Sequence, residues 1–61
     1  MSDQDIINGA YEDAVKKLFD VFFQSFVDAN GKESDIDTAK QEFKAGLAAA
    51  RTARDTAIGL L

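Results

Sequence analysis

The sequence of 61 residues contains no cysteine, histidine, tryptophan or proline. Without cysteine and histidine the chain cannot form a disulfide, a zinc site of the usual type, or a serine or cysteine nucleophile activated by histidine. The hydroxyl groups that remain have no neighbouring base, and the lysines have no evident desolvated pocket. We therefore expect a protein that is not an enzyme and that binds no metal ion and no cofactor.

The small size of the chain limits how much of a core it can bury. For so short a chain, apolar burial and the loss of conformational entropy on folding nearly cancel, so small domains need a disulfide, a metal or a partner. The hydrophobic content of 46% and the charged content of 30% are those of a folded domain and not of a disordered segment. We expect one domain that gains stability by associating with a second copy of itself.

The charge balance and the apolar runs restrict the partners. The formal net charge of −4 disfavours non-specific binding to nucleic acid or to an anionic membrane. The longest apolar run, residues 45–50, is far shorter than the ~18 residues that a membrane span requires. The N-terminus has neither the basic nor the apolar region of a secretory signal. We expect no membrane association and a cytoplasmic location.

Asn30-Gly31 is the clearest break in the chain, because Asn followed by Gly favours the left-handed conformation that ends helices. Ser2 with Asp5, and Ser34 with Asp37, resemble capping boxes with Asp in place of Glu. The predicted elements are helix one over about 3–29, a loop over 30–34 and helix two over about 35–59.

Both halves show helical periodicity. In the first half the apolar residues form one stripe, with Phe19 on its edge: Ile7, Tyr11, Ala14, Val15, Leu18, Phe22 and Phe26. In the second half mostly small residues recur at alternating steps of three and four: Ile36, Ala39, Phe43, Gly46, Ala50, Ala53, Ala57 and Leu60. Small residues facing large ones, with Gly46 at a close contact, predict an all-α, antiparallel two-helix hairpin.

A short loop places residue i opposite about residue 63 − i, if the loop is centred near residues 31–32. Arg51 then falls near Glu12, and Arg54 falls near the segment 5–9. We expect some of these basic side chains to neutralise the acidic first helix through ion pairs between the helices.

A two-helix hairpin cannot cover all of its apolar residues, and an uncovered aromatic patch indicates a partner. The commonest partner is a second copy related by a two-fold axis. This predicts a homodimeric four-helix bundle, with a docking site for a different protein as the alternative. The predicted self-association residues are Phe19, Phe22, Phe23, Phe26 and Phe43.

The functional prediction is a small protein-interaction module: an adaptor, assembly factor or inhibitor of a larger protein. Its candidate partner surface is the acidic outer side of helix one, with Glu12, Asp13 and Asp20. Glu12 and Asp13 are adjacent on a helix and point ~100° apart, so they do not form a general acid and base pair. Because the first helix carries six acidic residues, we expect a solvated acidic face.

The alternative is a nucleic-acid-associated regulator that uses a basic stripe on helix two: Lys40, Lys44, Arg51 and Arg54. Such a line can track phosphates, but no aromatic residue interleaves with it, and a solvated face is the commoner meaning of this pattern. Arg54 projects on the apolar side of its helix, where we expect a carboxylate partner or an interface. A third hypothesis, a membrane-surface helix, is disfavoured by the acidic first helix.

Overall fold

The computed structural model describes all residues from Met1 to Leu61 and contains two helices and no strand. Helix α1 spans Asp3–Ala29 and helix α2 spans Glu33–Gly59. The helices lie side by side in a flat antiparallel hairpin whose Cα extents are 44 × 17 × 6 Å. The predicted all-α hairpin is therefore confirmed, and the length of each helix determines the length of the molecule.

Helix α1 begins with the predicted capping box. The Ser2 hydroxyl accepts a hydrogen bond from the Asp5 backbone N–H at 3.2 Å, and the Asp5 carboxylate accepts one from the Ser2 N–H at 3.3 Å. Two N–H groups that would otherwise lack partners at the helix start are thereby satisfied.

The turn between the helices is shorter than predicted. Asn30 and Gly31 both adopt left-handed backbone conformations, with φ of 48° and 80°, and Lys32 caps α2 without a side-chain hydrogen bond. Two successive left-handed residues reverse the chain at once, so α2 begins at Glu33 and not near residue 35. Ser34 consequently lies inside the first turn, where its carbonyl accepts a hydrogen bond from Thr38; its predicted role as a cap was wrong.

Small residues of α2 allow α1 to approach closely, as the periodicity predicted. A Cβ atom built on Gly46 would lie 2.5 Å from Cδ2 of Leu18. Nearer the turn, the Phe22 and Phe43 rings stack with their centroids 4.9 Å apart. Because residues 18 and 46 are partners, residue i of α1 lies level with about residue 64 − i of α2.

The hairpin has almost no interior. Ala29 and Ala39, both in the half of the hairpin next to the turn, are the only buried residues. Two helices cover only one side of each other, so every other large side chain stays partly or wholly exposed. The distribution of these exposed side chains therefore decides what the molecule can do.

Candidate interaction surface

The hairpin has two broad faces of different chemistry. A helix turns by about 100° per residue, which places Phe19 and Phe26 about a quarter turn from Leu18, and Ile36 and Leu47 about a quarter turn from Gly46. Because the helices run in opposite directions, an equal rotation on each leads to the same side of the hairpin. We call this side the aromatic face: Val15, Phe19, Phe22, Phe23, Phe26, Ile36, Phe43 and Leu47.

All five predicted self-association residues belong to the aromatic face, and the structure links them in pairs. Phe22 stacks on Phe43, lies 6.0 Å from Phe26 by ring centroids, and is half-buried. Phe19 and Phe23 stack at 6.2 Å on the outer part of the face, where they remain 52% and 56% exposed. Phe26 is 45% exposed. The rings therefore form a ladder across the hairpin with its outer half open to solvent.

The aliphatic members of this face were not among the predicted self-association residues: the periodicity assigned Val15 and Ile36 to the stripes between the helices, and it missed Leu47. Val15, Ile36 and Leu47 flank the phenylalanines and are themselves only partly covered. Leu47 lies off the seam of small residues, so its role emerges only when the two helices are superposed in antiparallel register. The i to 64 − i pairing, applied to both sides of each helix, is the signal that identifies it.

The hairpin exposes more accessible surface than a compact monomer of the same mass. The chain exposes 4667 Å². A compact monomer of 6.6 kDa is expected to expose about 3,900 Å². The surplus of about 800 Å² equals the area that each partner contributes to a standard protein interface, ~800 Å².

The opposite face is small and polar and offers no comparable surface. At its turn end a shallow hollow is lined by Asp28, Asp35, Thr38 and Glu42, among others, and Asp28 accepts a hydrogen bond from the Gln24 amide at 2.9 Å. No group of three or more acidic side chains is arranged to hold a metal ion. Asp28, Asp35 and Glu42 are all exposed.

The three acidic residues predicted as a partner surface do not form one patch. All three are exposed. Asp13 and Asp20 lie in line on the back of α1, seven residues and so about 10 Å apart, with Lys16 and Lys17 between them. Glu12 lies apart from them on the outer edge of the aromatic face. The back of α1 is thus of mixed charge, and Glu12 belongs with the apolar surface.

The basic stripe divides in a similar way. Lys40, Lys44 and Arg51 are exposed along the outer edge of α2, next to the aromatic face. Arg54 lies nearer the partner helix, with its guanidinium carbon 4.4 Å from the centroid of the Tyr11 ring. Its Nε donates to Oδ1 of the adjacent Asp55 at 3.0 Å. Arg54 therefore has both a carboxylate and an aromatic partner and does not extend the stripe.

The ion pairs expected between the helices are absent. The Arg54 to Asp55 contact within α2 is the only salt bridge in the structure. Glu12 and Arg51 are nearly level along the hairpin, as predicted, but each points outward from its own helix. The register predicted from the sequence gave their positions along the hairpin axis correctly. The prediction that they form an ion pair was wrong, because the two side chains point in different directions around their helices.

At the free end of the hairpin the helices are separated by an open groove. Its walls are mostly small, and Arg54 is the only charged residue among them: Ile7, Ala10, Tyr11, Ala14, Ala50, Ala53, Arg54 and Ala57. The groove lacks the convergent polar groups that orient a small-molecule ligand. It reflects alanine side chains too short to fill the space between the helices.

Neither helix contains a stretch long and apolar enough to cross a membrane. No protein-family model, curated protein or solved structure matched the chain. Function must therefore be inferred from the surface that the chain itself presents.

Proposed function

We propose that this chain is a non-catalytic helical module that acts as a homodimer and binds a larger protein as an adaptor, assembly factor or inhibitor. The aromatic face pairs with the same face of a second copy, which completes a four-helix bundle. The observation that carries this proposal is the ladder of half-exposed phenylalanines on a hairpin with only two buried residues.

Energetics support association through this face. Burying apolar surface stabilises by roughly 25 cal/mol per Å², and a phenylalanine buries 150–250 Å² in total, so each half-exposed ring retains about 2 kcal/mol of unused burial. Three such rings occupy each aromatic face: Phe19, Phe23 and Phe26. Because the hairpin has little core of its own, folding and association are expected to be coupled.

The outward surface remains available for another protein after dimerisation. Asp13 and Asp20 lie on the back of α1, away from the aromatic face, and a two-fold dimer displays them twice. Capture from the native host with the wild type and with Asp13→Lys/Asp20→Lys tests this surface. A partner that binds through these acids is retained by the wild type and lost with the variant; retention by both would contradict this role.

Sedimentation equilibrium at micromolar concentration tests the dimer. We expect the wild type to sediment at twice 6.6 kDa. Phe23→Lys places a charge within the aromatic face and should yield the monomer, because burying an unpaired charge is strongly unfavourable. Val27→Lys is the matched control: it adds the same charge to an exposed apolar position on the back of α1 and should remain dimeric. A stably folded wild-type monomer would refute the proposal.

One observation favours the alternative, a nucleic-acid-associated regulator. Lys40, Lys44 and Arg51 are exposed on one edge and form no ion pair within the chain. Phosphates attract such a row of cations, and the affinity should then fall steeply with salt. The net charge of −4 opposes this reading.

A further inference from the structure

We propose, building on the homodimer above, that the two copies are related by a two-fold axis parallel to their helices. In this arrangement both turns lie at the same end of the bundle, and α1 of each copy packs on α2 of the other. Glu12 of each copy then faces Arg51 of the other across the outer edge of the interface. The second copy is thus selected by charge as well as by apolar contact.

The first observation is the unused charge complementarity of the hairpin. Glu12 lies on the α1 edge of the aromatic face, and Arg51 lies on the α2 edge at almost the same height. Neither forms an ion pair within the chain. Each edge of the aromatic face carries both signs, but the net charges are opposite, −1 on the α1 edge and +2 on the α2 edge. The exposed charged residues are Asp5, Glu12 and Lys16 on the first edge, and Glu33, Lys40, Lys44 and Arg51 on the second.

Symmetry converts this layout into contacts. Rotation about an axis parallel to the helices does not change the height of any residue, so α1 meets α2 of the other copy in the same i to 64 − i register that it has within its own chain. Arg51 lies within one residue, about 1.5 Å of rise, of the level of Glu12. Both side chains flank the same seam, as charged residues do beside the core of a coiled coil.

The same rotation brings apolar side chains together. Phe19 lies within two residues of the level of Leu47, and Phe26 lies within two residues of the level of Ile36. These side chains point most directly out of the aromatic face, so the outer rings of one copy meet the aliphatic residues of the other. The phenylalanine-rich halves, both next to the turn, then overlap fully.

The other face-to-face arrangement has its axis across the helices, with turns at opposite ends. It packs α1 on α1 and α2 on α2, so the basic edge with Lys40, Lys44 and Arg51 faces its own copy. At full overlap it also places the phenylalanines against the free end of the partner, near Asn8 and Arg54. Like charges and mismatched polarity both disfavour it.

Acids near the turn do not oppose the parallel axis. Asp28 and Asp35 line the hollow on the opposite face, away from the seam. Asp37 points outward from α2, half a turn from Gly46.

Mixing two charge-reversed variants, Glu12→Arg and Arg51→Glu, tests the pairing. Each variant alone has two repulsive contacts per dimer and should dimerise about 5- to 30-fold more weakly than the wild type. The mixture restores attraction in both contacts, so native mass spectrometry should show heterodimers well above the half expected from random association. Asp13→Arg mixed with Arg51→Glu is the control and should stay near random. Random association in the first mixture would overturn the proposal.

A distance between the turns tests the axis independently. The chain has no cysteine, so Lys32→Cys carries a single spin label at the turn of each copy. Electron–electron resonance should give a separation well below the 44 Å length of the hairpin. A dimer with a separation near that length would overturn the axis while leaving the homodimer intact. A wild-type monomer in sedimentation would instead refute the proposed function on which this inference rests.

Discussion

Replacing Gly46 by alanine tests the register on which every surface described above depends. In an ordinary helix interior, Gly→Ala stabilises by about 1 kcal/mol. At Gly46 the new methyl group would lie 2.5 Å from Cδ2 of Leu18. The optimal carbon–carbon separation is about 3.5–4.0 Å. The helices must separate, or Leu18 must leave its rotamer.

Overpacking of this kind costs about 1–3 kcal/mol, which exceeds the gain in helix propensity. We therefore expect Gly46→Ala to lower the free energy of unfolding by about 1 kcal/mol. Gly9→Ala is the matched control, since nothing lies within 4 Å of a Cβ at that position. It should raise the free energy of unfolding by about 1 kcal/mol.

Urea unfolding followed by circular dichroism measures these differences, at one protein concentration because association contributes to stability. A double-mutant cycle with Leu18→Ala isolates the contact. With Leu18 shortened, Gly46→Ala should become stabilising. If Gly46→Ala stabilises the wild type as much as Gly9→Ala does, and the double-mutant cycle shows no coupling to Leu18, the helices do not meet at Gly46 and the register is wrong.

Three further predictions concern the aromatic face, the helix cap and the basic stripe. Phe19→Ala should weaken dimerisation about a thousandfold, since about 2 kcal/mol of burial is lost from each of two copies. The control Val21→Ala, on the opposite face, should change the dimer dissociation constant little. Sedimentation velocity over a dilution series measures this constant for both variants. Ser2→Ala should lower the free energy of unfolding by about 1 kcal/mol, measured by urea; no change would mean that the cap is not formed. Duplex RNA titrated at low salt should show no binding; binding that Lys40→Ala/Lys44→Ala abolishes would support the nucleic-acid alternative.

Much of the fold follows from local chemistry. Asn30-Gly31 lies within the only sustained polar stretch in the middle of the chain, and the chain reverses there. The same dipeptide at Asn8-Gly9 is flanked by helical periodicity and stays within α1. Ser2 and Asp5 form the predicted cap. The start of α2 was predicted too late because Ser34 resembles a helix N-cap. In the structure the N-cap is Lys32, two residues earlier, because the tight turn reverses the chain before Ser34 is reached.

The candidate site could be predicted only in part. The register between two helices predicts the position of a residue along the hairpin axis more easily than the direction of its side chain around the helix. The phenylalanines were identified because the first helix has more large apolar residues than contact with a single second helix can bury. Glu12 and Arg51 were placed at the same height, but their outward directions depend on where the helices touch, which Leu18 and Gly46 determine. Leu47 joins the aromatic face for the same reason.

The central claim is that the aromatic face of one copy covers that of another. An isotope-filtered nuclear Overhauser experiment on dimers of one labelled and one unlabelled chain tests it most directly. We predict intermolecular contacts from the rings of Phe19 and Phe26 to the methyl groups of Leu47 and Ile36. Intermolecular contacts to Val21 or Ala45 on the opposite face, or none at all at a concentration where the chain is folded, would contradict the claim.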